Sequence, residues 1–277
     1  MSGDGDGEHR AGETQTELLE VAVQAARMAG TLLLERARAG RELEVSSKST
    51  PTDLVSEADL ASERAIGALL AERRPRDGFV GEEGGSEEGT SGLEWVVDPL
   101  DGTVNFLFGI PQWCVSVAVK DGEGTVAGAV YDPNRDVLFT ATRDGDARMS
   151  GPEDAVLELH GSERGDLATA MVATGLAYDA RVRAAQARVL ARVIPEVRDI
   201  RRFGSAALDL TWTAAGRYDA YFERTVKQWD IAAGALICQR AGLQVLELPV
   251  YGDLPWGILV APPALAEPLL ELVGGPA

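Results

Sequence analysis

The sequence predicts a layered fold of sheets and helices, α+β in its first half and α/β in its second. Three observations carry this. Apolar positions near the N-terminus recur at helical spacing. Three β-rich runs between 113 and 142 are broken by Asp-Gly and Asp-Pro-Asn turns, the pattern of an antiparallel meander. From residue 168 onward, short apolar runs alternate with helical stretches, which implies sheets covered by helices.

In chain order, residues 1–14 are Gly-, Asp- and Glu-rich, lack an apolar signal core, and are expected to form a disordered tail. Leu18, Leu19, Val23, Ala26, Leu33 and Leu34 then mark a helix over 16–38, which Gly40 stops. Residues 44–51 are too polar to pack and read as a loop. A second helix starts at Ser56, where Ser56 and Asp59 form a capping box, and ends before Pro75. A short strand over 79–83 runs into Glu82 and Glu83, and a Gly/Ser/Glu-rich loop leads to Gly92.

The β-rich runs 113–120, 125–131 and 136–142 follow, then a weakly patterned stretch, 143–164, to which no element is assigned. In the second half, strands are predicted over 170–173, 197–201, 218–223, 245–248 and 257–260. Helices are predicted over 180–194, 205–215 and 230–241, with a last one after Pro263. The organisation expected is a first half, 15–150, built on an antiparallel sheet, and a second half, 151–277, of alternating strands and helices.

Composition narrows the function. The 277 residues suffice for a substantial core, and no run of 18 apolar residues exists to span a membrane. Acids outnumber bases 44 to 26, a formal net charge of −18 that opposes nucleic acid and anionic membrane as partners. The same field repels a phosphorylated substrate unless cations reverse it locally. The two cysteines, Cys114 and Cys238, sit in apolar stretches and read as buried, reduced thiols of a cytoplasmic protein. With only His9 and His160 available, a His-based metal site or Ser-His-Asp triad lacks material, and no G-x-x-x-x-G-K-[ST] run occurs.

The chemistry concentrates in Glu94-Trp95-Val96-Val97-Asp98-Pro99-Leu100-Asp101-Gly102-Thr103. A short buried strand stops at a turn in which Pro99 fixes one φ and Gly102 permits a conformation that a Cβ forbids. Two carboxylates, the Leu100 carbonyl, a hydroxyl and the N–H groups of Gly102 and Thr103 fall within six residues. That is a dense set of oxygen ligands beside an anion cradle. Asp-Pro and Asp-Gly also punctuate ordinary surface turns, so the weight rests on the whole run rather than on either acid.

This segment resembles the signature of the inositol monophosphatase family, magnesium-dependent and lithium-sensitive phosphatases with a strand ending in Asp-Pro-(Ile/Leu)-Asp-Gly-Thr. Gly81-Glu82-Glu83, Asp53-Leu54-Val55-Ser56-Glu57-Ala58-Asp59 and Trp229-Asp230 match further family stretches in order, and the likeness runs from about residue 15 to about 270. It implies an αβαβα layered sandwich. It assigns Glu83, Asp98, Asp101, Asp230 and the Leu100 carbonyl to two or three Mg²⁺ ions, most of these ligands lying in the first half. Asp59 orients Thr103, and Lys48 and Asp53 belong to the same stretch as Asp59. Gly204, Ser205 and Ala206 match the segment that touches the sugar-like ring, and Glu223 the acid that accepts from ring hydroxyls.

Electrostatics agree with the metal assignment. Carboxylates at about 4 Å repel by about 4 kcal/mol per pair at an effective dielectric of about 20. No Arg or Lys inside these motifs offsets that, and all-oxygen ligands select a hard ion. The expected activity is hydrolysis of inositol 1-phosphate or a related polyol or sugar phosphate. An ion held by Glu83, Asp98 and the Leu100 carbonyl activates a water that Thr103 and Asp59 orient. A second ion, held by Asp98, Asp101 and Asp230, stabilises the departing alkoxide. The N–H groups of Gly102 and Thr103 hold the phosphoryl oxygens.

Fructose 1,6-bisphosphate, histidinol phosphate and nucleoside 3′-phosphate are alternatives within the family, and a catalytically silent regulatory relative is the alternative outside it. A homodimer is expected from the resemblance alone. Val104 departs from the Thr or Lys that many members carry. The family's Gly-x-Gly-Ala-x-x-Asn-Gly hairpin is not recognisable in 142–151.

Overall fold

The computed structural model describes residues 6–39, 45–47, 54–153 and 155–274, with side chains for 15–39 and from 56 onward. Helix α1 (Asp6–Ala39) carries Leu18, Val21, Ala22, Ala25, Ala26, Ala29 and Leu33 on one buried stripe. It begins inside the stretch expected to be a tail. Strands β1 (Val45–Ser47) and β2 (Leu54–Ser56) form a small antiparallel pair, so the segment expected as a loop over 44–51 contains a strand. Lys48 and Asp53 lie outside the described residues.

Helix α2 (Glu57–Arg73) opens as its sequence requires. The Ser56 hydroxyl accepts the Ala58 N–H, and Asp59 accepts the Ser56 N–H at 2.9 Å.

An eight-stranded sheet follows. It is built from β3 (Gly78–Gly81), β4 (Ser86–Glu87), β5 (Glu94–Asp101), β6 (Cys114–Asp121), β7 (Gly124–Asp132), β8 (Val137–Thr142), β9 (Arg148–Ser150) and β10 (Val156–Glu158). From β10 to β5 the strands are antiparallel neighbours in reverse chain order, the expected meander, while β3 joins β5 in parallel and β4 covers the edge. Thus the stretch 143–164 supplies the last two strands at one end of the sheet, and the sheet runs past residue 150 to take β10 at its edge. A β8–β9 hairpin forms without the family's glycine pattern, pairing Leu138 with Ser150. Short helix α3 (Thr103–Leu107) leads from β5 towards β6.

The second sheet has five strands in the order β12 (Asp199–Arg201), β11 (Met171–Thr174), β13 (Ala220–Arg224), β15 (Gly257–Ala261) and β14 (Gln244–Leu248). Strand β11 is parallel to β12 and β13, whereas β15 is antiparallel to both its neighbours. Helices α4 (Ala180–Val193) and α7 (Pro263–Gly274) pack on its outer face. Helices α5 (Ala206–Ala214) and α6 (Gln228–Arg240) lie between the two sheets, and α1 and α2 cover the far face of the first. The layers are therefore α, β, α, β, α.

The two inner helices explain their own composition. Elements packed on both sides need apolar residues all round. Ala206, Ala207, Leu208, Leu210 and Ala214 of α5, and Ala232, Ala233, Leu236, Ile237 and Cys238 of α6, are buried accordingly. Both cysteines are free and buried. Among the described residues, no helix is long and apolar enough to cross a membrane.

One buried cation holds the outer layer to the site. The Arg224 guanidinium, at the end of β13, donates to the carbonyls of Pro255 at 2.7 Å, Pro249 at 2.9 Å and Val273 at 3.2 Å. The last of these lies in the final turn of α7, where a cation suits the helix dipole. Arg224→Ala removes these bonds and leaves buried carbonyls unpaired. It should lower the urea-unfolding free energy by about 3 kcal/mol with an unchanged m-value.

Candidate active site at the carboxyl end of β5

Strand β5 delivers Asp98 and Asp101 to the same cleft because its pairing is irregular there. In a regular strand, residues three apart face opposite sides. Asp98 pairs with Ser116 and Asp101 with Cys114, so β5 carries one extra residue between them and both carboxylates end on one side. Pro99, which donates no ladder bond, sits inside this bulge. Gly102 follows with φ +100°, and a Cβ there would come within 2.9 Å of the Gln112 carbonyl.

Oxygens of Glu82, Asp98 and Asp230 lie within 4.8 Å of one another. Asp98 is fully buried, with one oxygen accepting the Leu100 N–H at 3.0 Å. Asp230 enters from the first turn of α6, where it accepts the Lys227 N–H at 2.6 Å. Burial, then the charge of Glu82 and the other acids, pushes Asp98 and Asp230 well above the usual carboxylate range.

Asp101 is tied into the second half. It accepts the Ser205 hydroxyl at 2.6 Å, the Ala207 N–H at 2.7 Å and the Ala206 N–H at 3.2 Å, at the start of α5. Burial raises it to about 6 despite these bonds.

The structure brings Glu82, not Glu83, to the other acids, which corrects the expected ligand. The Glu82 N–H donates to the Val97 carbonyl at 3.1 Å, extending the β3–β5 ladder by one residue and setting its side chain beside Asp98. Residues 82 and 83 form the turn after β3, and Glu83 is outside this trio of acids. Its N–H and that of Gly85 are held by the Glu63 carboxylate at 2.7 and 2.9 Å.

The remaining expected residues meet around this group. Thr103 donates to Asp59 at 2.7 Å across the α2–α3 contact, and the Leu100 carbonyl lies 3.1 Å from the same hydroxyl. Leu100, Gly102, Thr103, Gly204, Ala206 and Glu223 line one cleft of about 670 Å³ with Glu82, Asp98, Asp101 and Asp230. Ser205 is buried beneath it, holding Asp101. Glu223 accepts the Tyr221 hydroxyl at 2.7 Å and sits over Gly175, where any Cβ would meet its carboxylate. Burial lifts Glu223 to about 7.

Several residues here escape the sequence reading. Ser62 donates to the Pro99 carbonyl at 2.8 Å, so Asp59, Ser62 and Glu63 are three polar groups on the buried side of α2, each holding a different loop of the site. Polar residues on the inner stripe of a helix are the signal that identifies them. Arg202, Lys227 and Thr225 also line the cleft. Arg202 stands two residues before Gly204. Asp209, buried on α5 and raised by burial and by Glu223, carries no mark in its local sequence.

The donor set fits a hard divalent cation, with several carboxylates and a backbone carbonyl converging and no nitrogen or sulfur ligand among the cluster. At 4.8 Å two carboxylates repel by about 3–4 kcal/mol at an effective dielectric of about 20, so positive charge is required to hold them all ionised.

A sequence profile described as the inositol monophosphatase family matches residues 14–271. The chain is 43% identical over 233 residues to the Inositol-1-monophosphatase SuhB of Mycobacterium tuberculosis, covering 82% of this chain and 80% of that protein. It is 40% identical over 227 residues to the Nus factor SuhB of Escherichia coli K12, covering 81% and 83%. The crystal structure of the extragenic suppressor protein suhB from Bartonella henselae superposes with a TM-score of 0.85 at 35% identity, covering 94% of this chain and all of that one.

The raised carboxylates fix the sign of a pH effect. Groups whose pKa rises on folding stabilise the fold at pH below their unfolded values, and that stability is lost as pH rises through the raised ones. In EDTA, the Tm of the wild type should therefore fall relative to that of Asp98→Asn as pH goes from 5 to 8. Added Mg²⁺ should raise the wild-type Tm, and by more at pH 8 than at pH 5, because protonated carboxylates hold no cation. Parallel Tm profiles for the two proteins in EDTA would contradict the cluster.

Proposed function

The chain belongs to the inositol monophosphatase family, and from that premise we propose that it is a Mg²⁺-dependent phosphomonoesterase acting on inositol 1-phosphate or a related polyol or sugar phosphate. The observation that supports this most directly is the convergence of Glu82, Asp98 and Asp230 within 4.8 Å, beside Asp101 and the Asp59–Thr103 pair. Glu82, Asp98, Asp101, Asp230 and the Leu100 carbonyl would hold two or three Mg²⁺ ions. Such ions supply positive charge to the phosphoryl oxygens and leaving group, and lower the pKa of water.

The rest falls to the protein. Asp59 fixes the Thr103 hydroxyl, so that its free lone pairs are presented to the attacking water and its proton has a carboxylate to move towards. The N–H groups of Gly102 and Thr103 face the phosphoryl oxygens. Ser205 and the first N–H groups of α5 keep Asp101 from turning away. At the far end of the cleft, Glu223 is pinned by Tyr221 and accepts hydrogen bonds from ring hydroxyls, with Gly204 and Ala206 forming the floor.

The test is phosphate release from inositol 1-phosphate, fructose 1,6-bisphosphate, histidinol phosphate and a nucleoside 3′-phosphate, each with Mg²⁺ and with EDTA. Release is expected with Mg²⁺ only, and fastest for inositol 1-phosphate. Asp101→Asn should reduce kcat/KM by about 10³ or more, a loss of the size seen when an electrostatic group is removed from an active site.

The geometry also separates two neighbours. Glu82→Gln should abolish turnover, whereas Glu83→Gln should keep kcat/KM within about threefold, since Glu83 lies outside the trio of converging acids. A large loss in Glu83→Gln with activity kept in Glu82→Gln would return the ligand assignment to Glu83.

A second reading, a regulatory protein acting through contacts, draws on the name Nus factor carried by the Escherichia coli relative. It also draws on an exposed apolar group. Phe108, Ile110 and Phe203 are 73%, 48% and 39% exposed. Asn105 ties their segments, donating to the Phe203 carbonyl at 2.7 Å while its own carbonyl accepts the Ile110 N–H. The homodimer expected from the resemblance would also use such a surface. Absence of release from every ester would favour this reading.

A further inference from the structure

Between Glu223, at the ring end of the cleft, and Asp230, in the acid cluster, the chain passes through Thr225 at φ +75°. Left-handed backbone is strained for any residue with a Cβ and most of all for a β-branched one. Among the described residues only one other non-glycine, Asp136, has positive φ. That position is a turn beside Asn134, where Asp tolerates this conformation. Thr225 has no such excuse.

The surroundings force the conformation. Before it, Arg224 is paired with Gly257 across the β13–β15 ladder and its guanidinium is clamped by carbonyls of three segments. The Thr225 N–H donates to the Trp256 carbonyl at 2.9 Å, and its hydroxyl turns back onto the Arg224 carbonyl. After it, Val226 is buried and the Lys227 N–H is held by Asp230. The chain must reverse at 225 to leave the sheet and start α6. Glycine would make that reversal without strain, whereas threonine makes it at a conformational cost.

Thr225 lines the cleft, as do Glu223 and Lys227. Strained residues persist where the surroundings over-determine them, and they concentrate at functional sites. Resting on the phosphatase reading above, we propose that Thr225 is a specificity-determining residue: its branched side chain narrows the ring end of the cleft and excludes phosphate esters of bulky alcohols, leaving compact polyol phosphates as the substrate class. Its hydroxyl is already engaged by the backbone, so volume rather than hydrogen bonding does the excluding.

The full-length protein with saturating Mg²⁺ tests this through kcat/KM for inositol 1-phosphate, glycerol 2-phosphate and a nucleoside 2′-monophosphate, together with Tm. Three variants are compared with the wild type. In Thr225→Gly, the ratio of kcat/KM for the nucleotide to that for glycerol 2-phosphate should rise roughly tenfold or more, the scale of one or two methylenes in a pocket. Its Tm should be no lower than that of the wild type. Thr225→Ala should raise the ratio partway without raising Tm, because a Cβ remains at positive φ. Thr225→Val, which keeps the branched shape, should leave the ratio unchanged.

An unchanged ratio in Thr225→Gly overturns the proposal, as does an equal rise in Thr225→Val or a lowered Tm in the glycine variant. Failure of the wild type to release phosphate from any of the three esters overturns the phosphatase reading and this proposal with it. An active wild type with unresponsive variants overturns the proposal alone.

Discussion

Carboxylates that repel one another are held within 4.8 Å here, and most of the architecture around them serves to keep them there. Neither Asp98 nor Asp230 can relax outwards. Asp98 is set by the bulge in β5 and its bond to the Leu100 N–H, and Asp230 by the first turn of α6. Glu82 is fixed by a ladder bond to β5. Backbone geometry thus overrides an electrostatic penalty of several kcal/mol, and the surplus negative charge becomes affinity for cations.

The support extends across layers. Helix α2 contributes Asp59, Ser62 and Glu63 from its inner face, holding Thr103, the bulge carbonyl of Pro99 and the turn after β3. From the opposite side, α5 offers Ser205, Ala206 and Ala207 to Asp101, placing a carboxylate where a helix N-terminus favours negative charge. The bonds to Asp101 join a residue of the first sheet to a helix packed on the second, so the metal end and the ring end of the cleft keep one relative geometry. A shift of either sheet would loosen Asp101 and widen the acid cluster together.

Much of this was legible in the chain. The meander, the strand–helix alternation, the capping box at Ser56 and the Asp98–Thr103 turn all follow from patterns that local physics interprets: period two, period 3.6, and turn chemistry at Asp, Pro and Gly. The ligand at 82 or 83 was not, because two adjacent acids at a strand end differ only in the face they take, and that depends on a ladder bond to a distant strand. Glu63 is not legible, because an acid within a charged helix looks solvated until the helix is seen from its buried side. The weakly patterned stretch around β9 and β10 is illegible for another reason: short strands at the end of a sheet are largely exposed and need no apolar alternation.

By itself the sequence determined the order of the elements and the inventory of chemistry: oxygen ligands in abundance, almost no histidine, and a signature turn at the end of one strand. Those are local properties, encoded by spacing and residue type. Only the tertiary structure decided which acids share a cleft, that Asp101 answers to Ser205 and the start of α5, and that Thr225 must turn through a strained conformation beside the site. These depend on sheet register and on packing between segments far apart in the chain, where a shift of a single residue would send a side chain to the opposite face.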